Sequence, residues 1–147
     1  MVDIIHRVGI RSPISKLQAA VSSVEGIAGW LARNTSDHSG AVETVFESPE
    51  GQEMGRIGYE IDPKGDRVKW NFTSGPAEWV GTELTFDLSR QGDYAVILFG
   101  HRNWRAPSEL MAHSSMKWAT FLLSLKQYAE TGMGEPSPHD RRVGDWS

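Results

Sequence analysis

A long amphipathic segment near the C-terminal end constrains the fold of this chain most strongly. Apolar residues between Ser108 and Gly132 recur at spacings of three, four and seven, which places them on one face of a helix of roughly six turns. These residues are Leu110, Trp118, Phe121, Leu122, Leu125, Tyr128 and Ala129. Ser108 is suited to cap the start of this helix, and Gly132 is suited to end it in the left-handed conformation. A helix with one apolar face must bury that face, so the preceding chain must supply a surface for it.

That surface is predicted to be a sheet. Between about residue 41 and residue 104, apolar and polar residues alternate in short runs, as in strands with one buried face. The inward positions of three of these runs are Val68, Trp70, Phe72, Leu84, Phe86, Leu88, Ile97 and Phe99. Turn sequences separate the runs, among them residues 62–66, where proline and glycine take positions that a hairpin requires. Strands joined by short turns predict an antiparallel meander.

The N-terminal segment predicts a further strand and a short helix. Residues 4–10 alternate as a strand. Ser12 and Pro13 are predicted to cap and begin a helix that runs to about Val21, because proline is favoured at the first helical position.

A second short helix is predicted to follow directly. Ser23 is suited to cap it, and the helix is expected to run over residues 24–31, with Trp30 at its end packed between helix and sheet. Residues 34–40 are small and polar and include His38, which is expected to be a loop residue. This segment predicts a loop or a weak edge strand.

Composition excludes several classes of function. The chain has 147 residues and no cysteine, so we expect one domain without disulfides, thiol catalysis or cysteine metal sites. Its net charge is −4 and it has no basic tract, so nucleic acid is not an expected partner. No apolar run approaches the roughly 18–20 residues that span a bilayer, and no signal peptide is evident, so no membrane association and a cytoplasmic location are expected.

Three segments carry a resemblance to a known family. Residues 78–86 read Glu-Trp-Val-Gly-Thr-Glu-Leu-Thr-Phe, residues 98–101 read Leu-Phe-Gly-His, and residues 118–136 join the apolar helix face to a Gly-Met-Gly-Glu-Pro end. Together with the order of strand, two short helices, strand meander and long helix, they resemble the START-like (SRPBCC) superfamily. Within it, the helix is similar to that of the branch related to the activator of Hsp90 ATPase.

The resemblance implies a fold and a division of the chain. The implied fold is α+β and of the helix-grip type, with a curved antiparallel sheet wrapped around a long C-terminal helix and two short helices after the first strand. The domain is expected to cover residues 1–134, and residues 135–147 to form a loosely held tail, because they lack periodicity. Two positions depart from the family pattern, Gly100 in place of threonine and Lys117 in place of a small residue, and both are expected to reshape one end of a pocket.

The pocket is predicted between the sheet and the long helix. Alternation places His6 and His101 on the face that the helix covers, and aromatic residues from three strands, a loop and the helix are expected to converge there. The predicted ligand-binding residues are His6, Trp70, Phe72, Phe86, Phe99, His101, Trp104, Trp118 and Phe121. Ordinary core packing explains each of them as well. Arg102 is a candidate to hold an anionic group at the mouth of the pocket, or it is simply solvated.

No catalytic motif is found, so no catalytic residue, metal or cofactor is predicted. Three functions stay open. The first is the binding of a small hydrophobic or amphipathic ligand. The second is a co-chaperone-like protein-interaction domain, with a chaperone as partner. The third is an enzyme of the polyketide cyclase or dehydratase type that uses an inward histidine. A homodimer of the chain is open under each of these functions.

Overall fold

The computed structural model describes residues 1–37 and 39–147. The described residues form three helices and seven strands, in the order β1 (Val2–Ile10), α1 (Ile14–Ser22), α2 (Val24–Trp30), β2 (Asn34–Ser36), β3 (Ala41–Glu47), β4 (Glu53–Lys64), β5 (Arg67–Ser74), β6 (Glu83–Gln91), β7 (Tyr94–Trp104) and α3 (Glu109–Thr131). The prediction for His38 lies outside the described residues.

The strands form one curved antiparallel sheet in the order β1-β7-β6-β5-β4-β3-β2. Strands β2 to β7 follow one another as a meander, and β1 closes the sheet beside β7, with Ile4 opposite His101 and Ile10 opposite Ala95. This architecture confirms the predicted α+β helix-grip fold. None of the helices in the described part of the chain is long and apolar enough to cross a membrane.

Helix α3 lies against this sheet as its sequence predicts. The Ser108 hydroxyl accepts a hydrogen bond from the Met111 amide at 3.1 Å, and Gly132 ends the helix at φ 90°. Leu122 and Leu125 are buried on the helix face that points to the sheet. The predicted bounds and the predicted buried face are therefore confirmed.

The two short helices cover the concave face of the sheet beside α3. Pro13, with extended backbone, takes the cap position itself, and Ser12 makes no cap, so that part of the prediction is wrong. Ser23 caps α2 as predicted, by accepting from the Gly26 amide at 3.0 Å. Trp30 is buried at the end of α2 and donates to the Ala20 carbonyl at 2.8 Å, which ties the two helices together.

Strand β4 is longer than predicted, and the turn after it is shorter. The predicted turn spans residues 62–66, whereas in the structure β4 runs to Lys64 and only Gly65 and Asp66 turn, with Gly65 at φ 63°. Pro63 is tolerated in the strand because Glu60, three residues earlier, is the last residue of β4 in the register with β3. The side of β4 on which Pro63 lacks an N–H therefore needs no ladder bond.

Candidate functional site

A cavity of about 670 Å³ lies at one end of α3. Its wall comes from the first half of α3, from the β3–β4 hairpin, from the turn before β6 and from residues 137–147 at the C-terminal end. Its volume falls within the range of roughly 300–1,000 Å³ that is usual for small-molecule sites.

Aromatic side chains form the inner wall of this cavity. Phe46 from β3 packs on Phe121 from α3, with ring centroids 5.9 Å apart. Trp79 stacks on Trp118 at 5.8 Å, with an angle of 27° between the ring planes. These four rings offer an apolar surface to any molecule that enters.

Polar groups of α3 lie among these rings. The Lys117 ammonium donates to a carboxylate oxygen of Asp140 at 2.6 Å and to the carbonyl of Arg141 at 2.8 Å, and it lies 5.1 Å from the centre of the Phe121 ring. One turn earlier, His113 Nε2 hydrogen-bonds the Ser147 hydroxyl at 2.7 Å. Burial, and then the nearby Lys117 charge, lower the pKa of His113.

The C-terminal segment closes one side of the cavity. Its first residues are tied to the body of the protein. The Glu135 amide donates to the Ser124 hydroxyl at 2.7 Å, and the Ser137 amide donates to the Leu31 carbonyl at 2.9 Å. Gly134 permits this path, because a Cβ there would lie 2.6 Å from the Gly29 carbonyl oxygen. The division of the chain into a domain of residues 1–134 and a loosely held tail stays a prediction.

A buried hydrogen-bond chain lies behind the aromatic wall. The indole N–H of Trp118 donates to Nδ1 of His101 at 3.1 Å. Since Nδ1 accepts, Nε2 carries the proton and donates to the Thr82 hydroxyl at 2.8 Å, which in turn donates to the Trp79 carbonyl at 2.5 Å. Burial lowers the pKa of His101 to about 3, so the ring is neutral at pH 7.

The cavity is bordered by strands β3 and β4 and by α3, as predicted for a pocket between the sheet and the long helix, but it lies at a different part of that interface. Of the predicted ligand-binding residues, Trp118 and Phe121 line it, and the others lie outside its wall. Phe72, His101 and Trp104 are behind Trp79, whose ring centre lies 5.0, 4.9 and 6.5 Å from theirs. Trp79 therefore separates His101 from the cavity.

The remaining predicted residues are in packed parts of the core. Trp70 donates to the Val21 carbonyl at 2.8 Å and packs against Trp30, so α1 and α2 cover it. Phe86 also lies against Trp30. Phe99 lies against Phe86 and Trp118. His6 faces α3 as predicted, where its Nε2 lies 3.1 Å from the Ser115 carbonyl oxygen. A direct ligand contact for any of these residues stays a prediction.

The two departures from the family pattern have different consequences. Lys117 lies in the wall of the cavity, and that it reshapes one end of the cavity stays a prediction. Gly100 does not line the cavity. A Cβ at this position would point to the outer face of the sheet, where it would lie 2.8 Å from Arg102 Nε and 2.9 Å from the Thr85 hydroxyl. Arg102 lies on that outer face, with Asp3 at 3.3 Å, so its predicted place at the pocket mouth is wrong. The cause is strand alternation, which turns Arg102 outward because His101 points inward.

Sequence reasoning did not select several residues of the wall as ligand-binding. Trp79 belongs to the family-like segment of residues 78–86, and it lies in a tight turn in which the Thr82 amide donates to its carbonyl at 2.9 Å. Lys117 carried a usable signal as a departure from the family pattern. Trp146 and Asp140 carried none, because residues 135–147 have no periodicity.

The curved sheet, the long C-terminal helix that it encloses and the apolar cavity at the helix end define a protein of the START-like (SRPBCC) class. No family model and no curated protein sequence matches the chain. Among solved structures, the Aha1 dimer from Colwellia psychrerythraea is 30% identical, with a TM-score of 0.74 over 91% of this chain and 100% of that one. The chain belongs to the family of Aha1 (activator of Hsp90 ATPase) homologues within this superfamily.

Two more distant structures share the fold alone. CalU16 from Micromonospora echinospora is 19% identical, with a TM-score of 0.64 over 92% of this chain and 77% of that one. DynU16, described as a putative protein in the dynemicin biosynthetic locus, is 18% identical, with a TM-score of 0.69 over 90% of this chain and 48% of that one.

Proposed function

We propose that this protein reversibly binds a small apolar or amphipathic molecule in the cavity at the end of α3. The observation that carries the proposal is the cavity itself, about 670 Å³ in volume, with Phe46, Trp79, Trp118 and Phe121 in its wall. An apolar wall with a few polar groups is the usual composition of a small-molecule site.

The placement of His6 and His101 does not support catalysis of the cyclase type by either of these two histidines. His101 lies behind Trp79, both of its ring nitrogens are engaged, and its low pKa keeps it neutral. A general acid or base must reach the proton that it transfers, directly or through one water. His6 lies against α3 and outside the cavity wall, so neither predicted histidine supports an acid–base role at this site.

The partners of the protein are a separate proposal. The Colwellia relative is described as a dimer, which supports a homodimer for this chain. Light scattering coupled to size-exclusion chromatography at several concentrations would measure the mass, and a monomer at all of them would contradict a dimer. A chaperone partner and a cytoplasmic location stay predictions.

Ligand binding is testable with the tryptophans in the cavity wall as reporters. A panel of fatty acids, fatty alcohols, sterols and aromatic polyketides should include members that change the fluorescence saturably. Phe46→Ala should weaken their binding about tenfold, since an aromatic ring contributes roughly 1.5 kcal/mol of buried apolar contact.

Tyr94→Ala is the matched control, because it removes an aromatic ring that lies outside the cavity wall. This variant should bind as the wild type does. Equal weakening by both variants, or no saturable change with any member of the panel, would contradict the proposal. Turnover of a panel member that His101→Gln abolishes would favour an enzyme instead.

A further inference from the structure

Lys117 is a largely desolvated cation in the wall of the cavity. The exposed fraction of its side chain is 12%, and that of its partner Asp140 is 17%. Within the described part of the chain, both of its hydrogen bonds go to the C-terminal segment, to Asp140 and to the Arg141 carbonyl. The charge of Lys117 is thus balanced by a segment that follows the helix-grip fold.

That segment is held unevenly along its length. Its start is fixed by the backbone, because the Ser137 amide donates to the Leu31 carbonyl and the Glu47 amide donates to the Ser137 hydroxyl at 3.0 Å. We call residues 138–147 the strap. The contacts described between the strap and α3 involve the side chains of Lys117 and His113, and Trp146 of the strap is half exposed. Release of the strap from α3 would break these side-chain contacts and leave the anchor at Ser137 in place.

Departure of the strap alters the charge balance of the cavity. Lys117 would lose both of its acceptors while the Phe121 ring stays beside it, so water or an incoming anion would have to replace them. Of the other charged residues in the wall, Arg56 pairs with Glu53 at 2.6 Å and Glu47 pairs with Arg33 at 3.2 Å. Arg142 also lines the cavity, but it belongs to the strap and would leave the wall with it. An open cavity thus has a cation on α3 that an incoming molecule can neutralise.

We infer that the ligand of this cavity is an amphiphile with a carboxylate, which takes the place of Asp140 at Lys117 while the apolar part lies against the aromatic wall. The inference rests on the proposed binding function. The strap then acts as a built-in competitor, because Asp140 offers Lys117 the same group as the ligand does. Binding and release of the strap are coupled through this one cation.

The full-length protein can be titrated at pH 7.5 with decanoate and with 1-decanol, which have the same alkyl chain with and without the charge. The wild type should bind decanoate about tenfold more tightly than decanol. Lys117→Met retains the length of the side chain and should remove this preference. Lys126→Met is the matched control on the same helix, paired with Glu130 and outside the cavity, and it should keep the preference.

Asp140→Asn tests the competition without touching the lysine. It should tighten decanoate binding about fivefold and leave decanol binding nearly unchanged. Trp146 reports the release of the strap. Its fluorescence is obtained by subtracting the signal of Trp146→Phe from that of the wild type. Quenching of this fluorescence by acrylamide should increase when decanoate is added to the wild type, and it should not increase in a protein that carries Lys117→Met.

Equal affinity of the wild type for the two probes, or a preference that persists in Lys117→Met, overturns the inference and leaves the proposed function in place. Binding of neither probe overturns the inference, and failure of the whole panel overturns the proposed function as well. If Lys117→Met does not fold, Asp140→Asn tests the inference in its place. An unchanged affinity of Asp140→Asn for decanoate overturns the inference.

Discussion

Leu125→Ala should lower the free energy of unfolding by about 2–5 kcal/mol, the range for truncating a fully buried leucine. Leu125 is 0% exposed on the face of α3 that packs on the sheet. Its removal loses apolar contact and leaves a void that a closely packed core closes only in part. Urea unfolding at pH 7, compared at equal m-values, measures the change.

Leu123 is the control for this variant. It lies on the same helix two residues earlier and is 61% exposed, so Leu123→Ala should change the free energy of unfolding by less than about 0.5 kcal/mol. A loss of less than about 0.5 kcal/mol for Leu125→Ala would show that α3 does not bury this face.

Acid should destabilise the protein through His101 between pH 7 and pH 5. The pKa of His101 is about 3 in the folded protein and 6.5 when the histidine is exposed, as in the unfolded chain. At pH 5 the unfolded chain therefore binds a proton at His101 that the folded chain does not bind. The contribution is fully present above about pH 6.5 and is lost as the pH falls towards 3. From the shift in pKa, the loss between pH 7 and pH 5 is about 2 kcal/mol.

His101→Gln isolates this contribution. Glutamine keeps a donor and an acceptor but does not titrate, so the variant is expected to be less stable at pH 7 and to lose about 2 kcal/mol less than the wild type between pH 7 and pH 5. His113, whose pKa is also lowered, acts in the same direction in both proteins and cancels in the comparison. An identical loss in the two proteins would contradict a buried, neutral His101.

The sequence predicts the fold well because its signals are local and mutually consistent. The bounds of α3 follow from Ser108, Gly132 and the apolar face between them, and all three signals agree. Trp70 and Phe86 point inward as alternation predicts. The inward direction is a local property of a strand, so it can be read from the chain itself.

The location of the cavity is not a local property. Alternation says which face of the sheet Trp70 and Phe86 occupy but not which element covers them, and in the structure the short helices do so through Trp30 and Val21. The wall of the cavity instead comes partly from residues 137–147, which have no repeating pattern. Contacts between an irregular segment and a distant helix leave no periodic signal in a sequence.

The pairing of β1 with β7 has a consequence for how the chain reaches its fold during synthesis. Ile4 pairs with His101, 97 residues further along, so the first strand has no neighbour in the sheet until most of the chain has been made. At ribosomal rates of about 5–20 residues per second, roughly 5–20 seconds pass between the synthesis of β1 and that of its partner strand β7. Closing so long a loop is slow compared with helix formation, so the last step in forming the sheet is expected to be the pairing of β1 with β7.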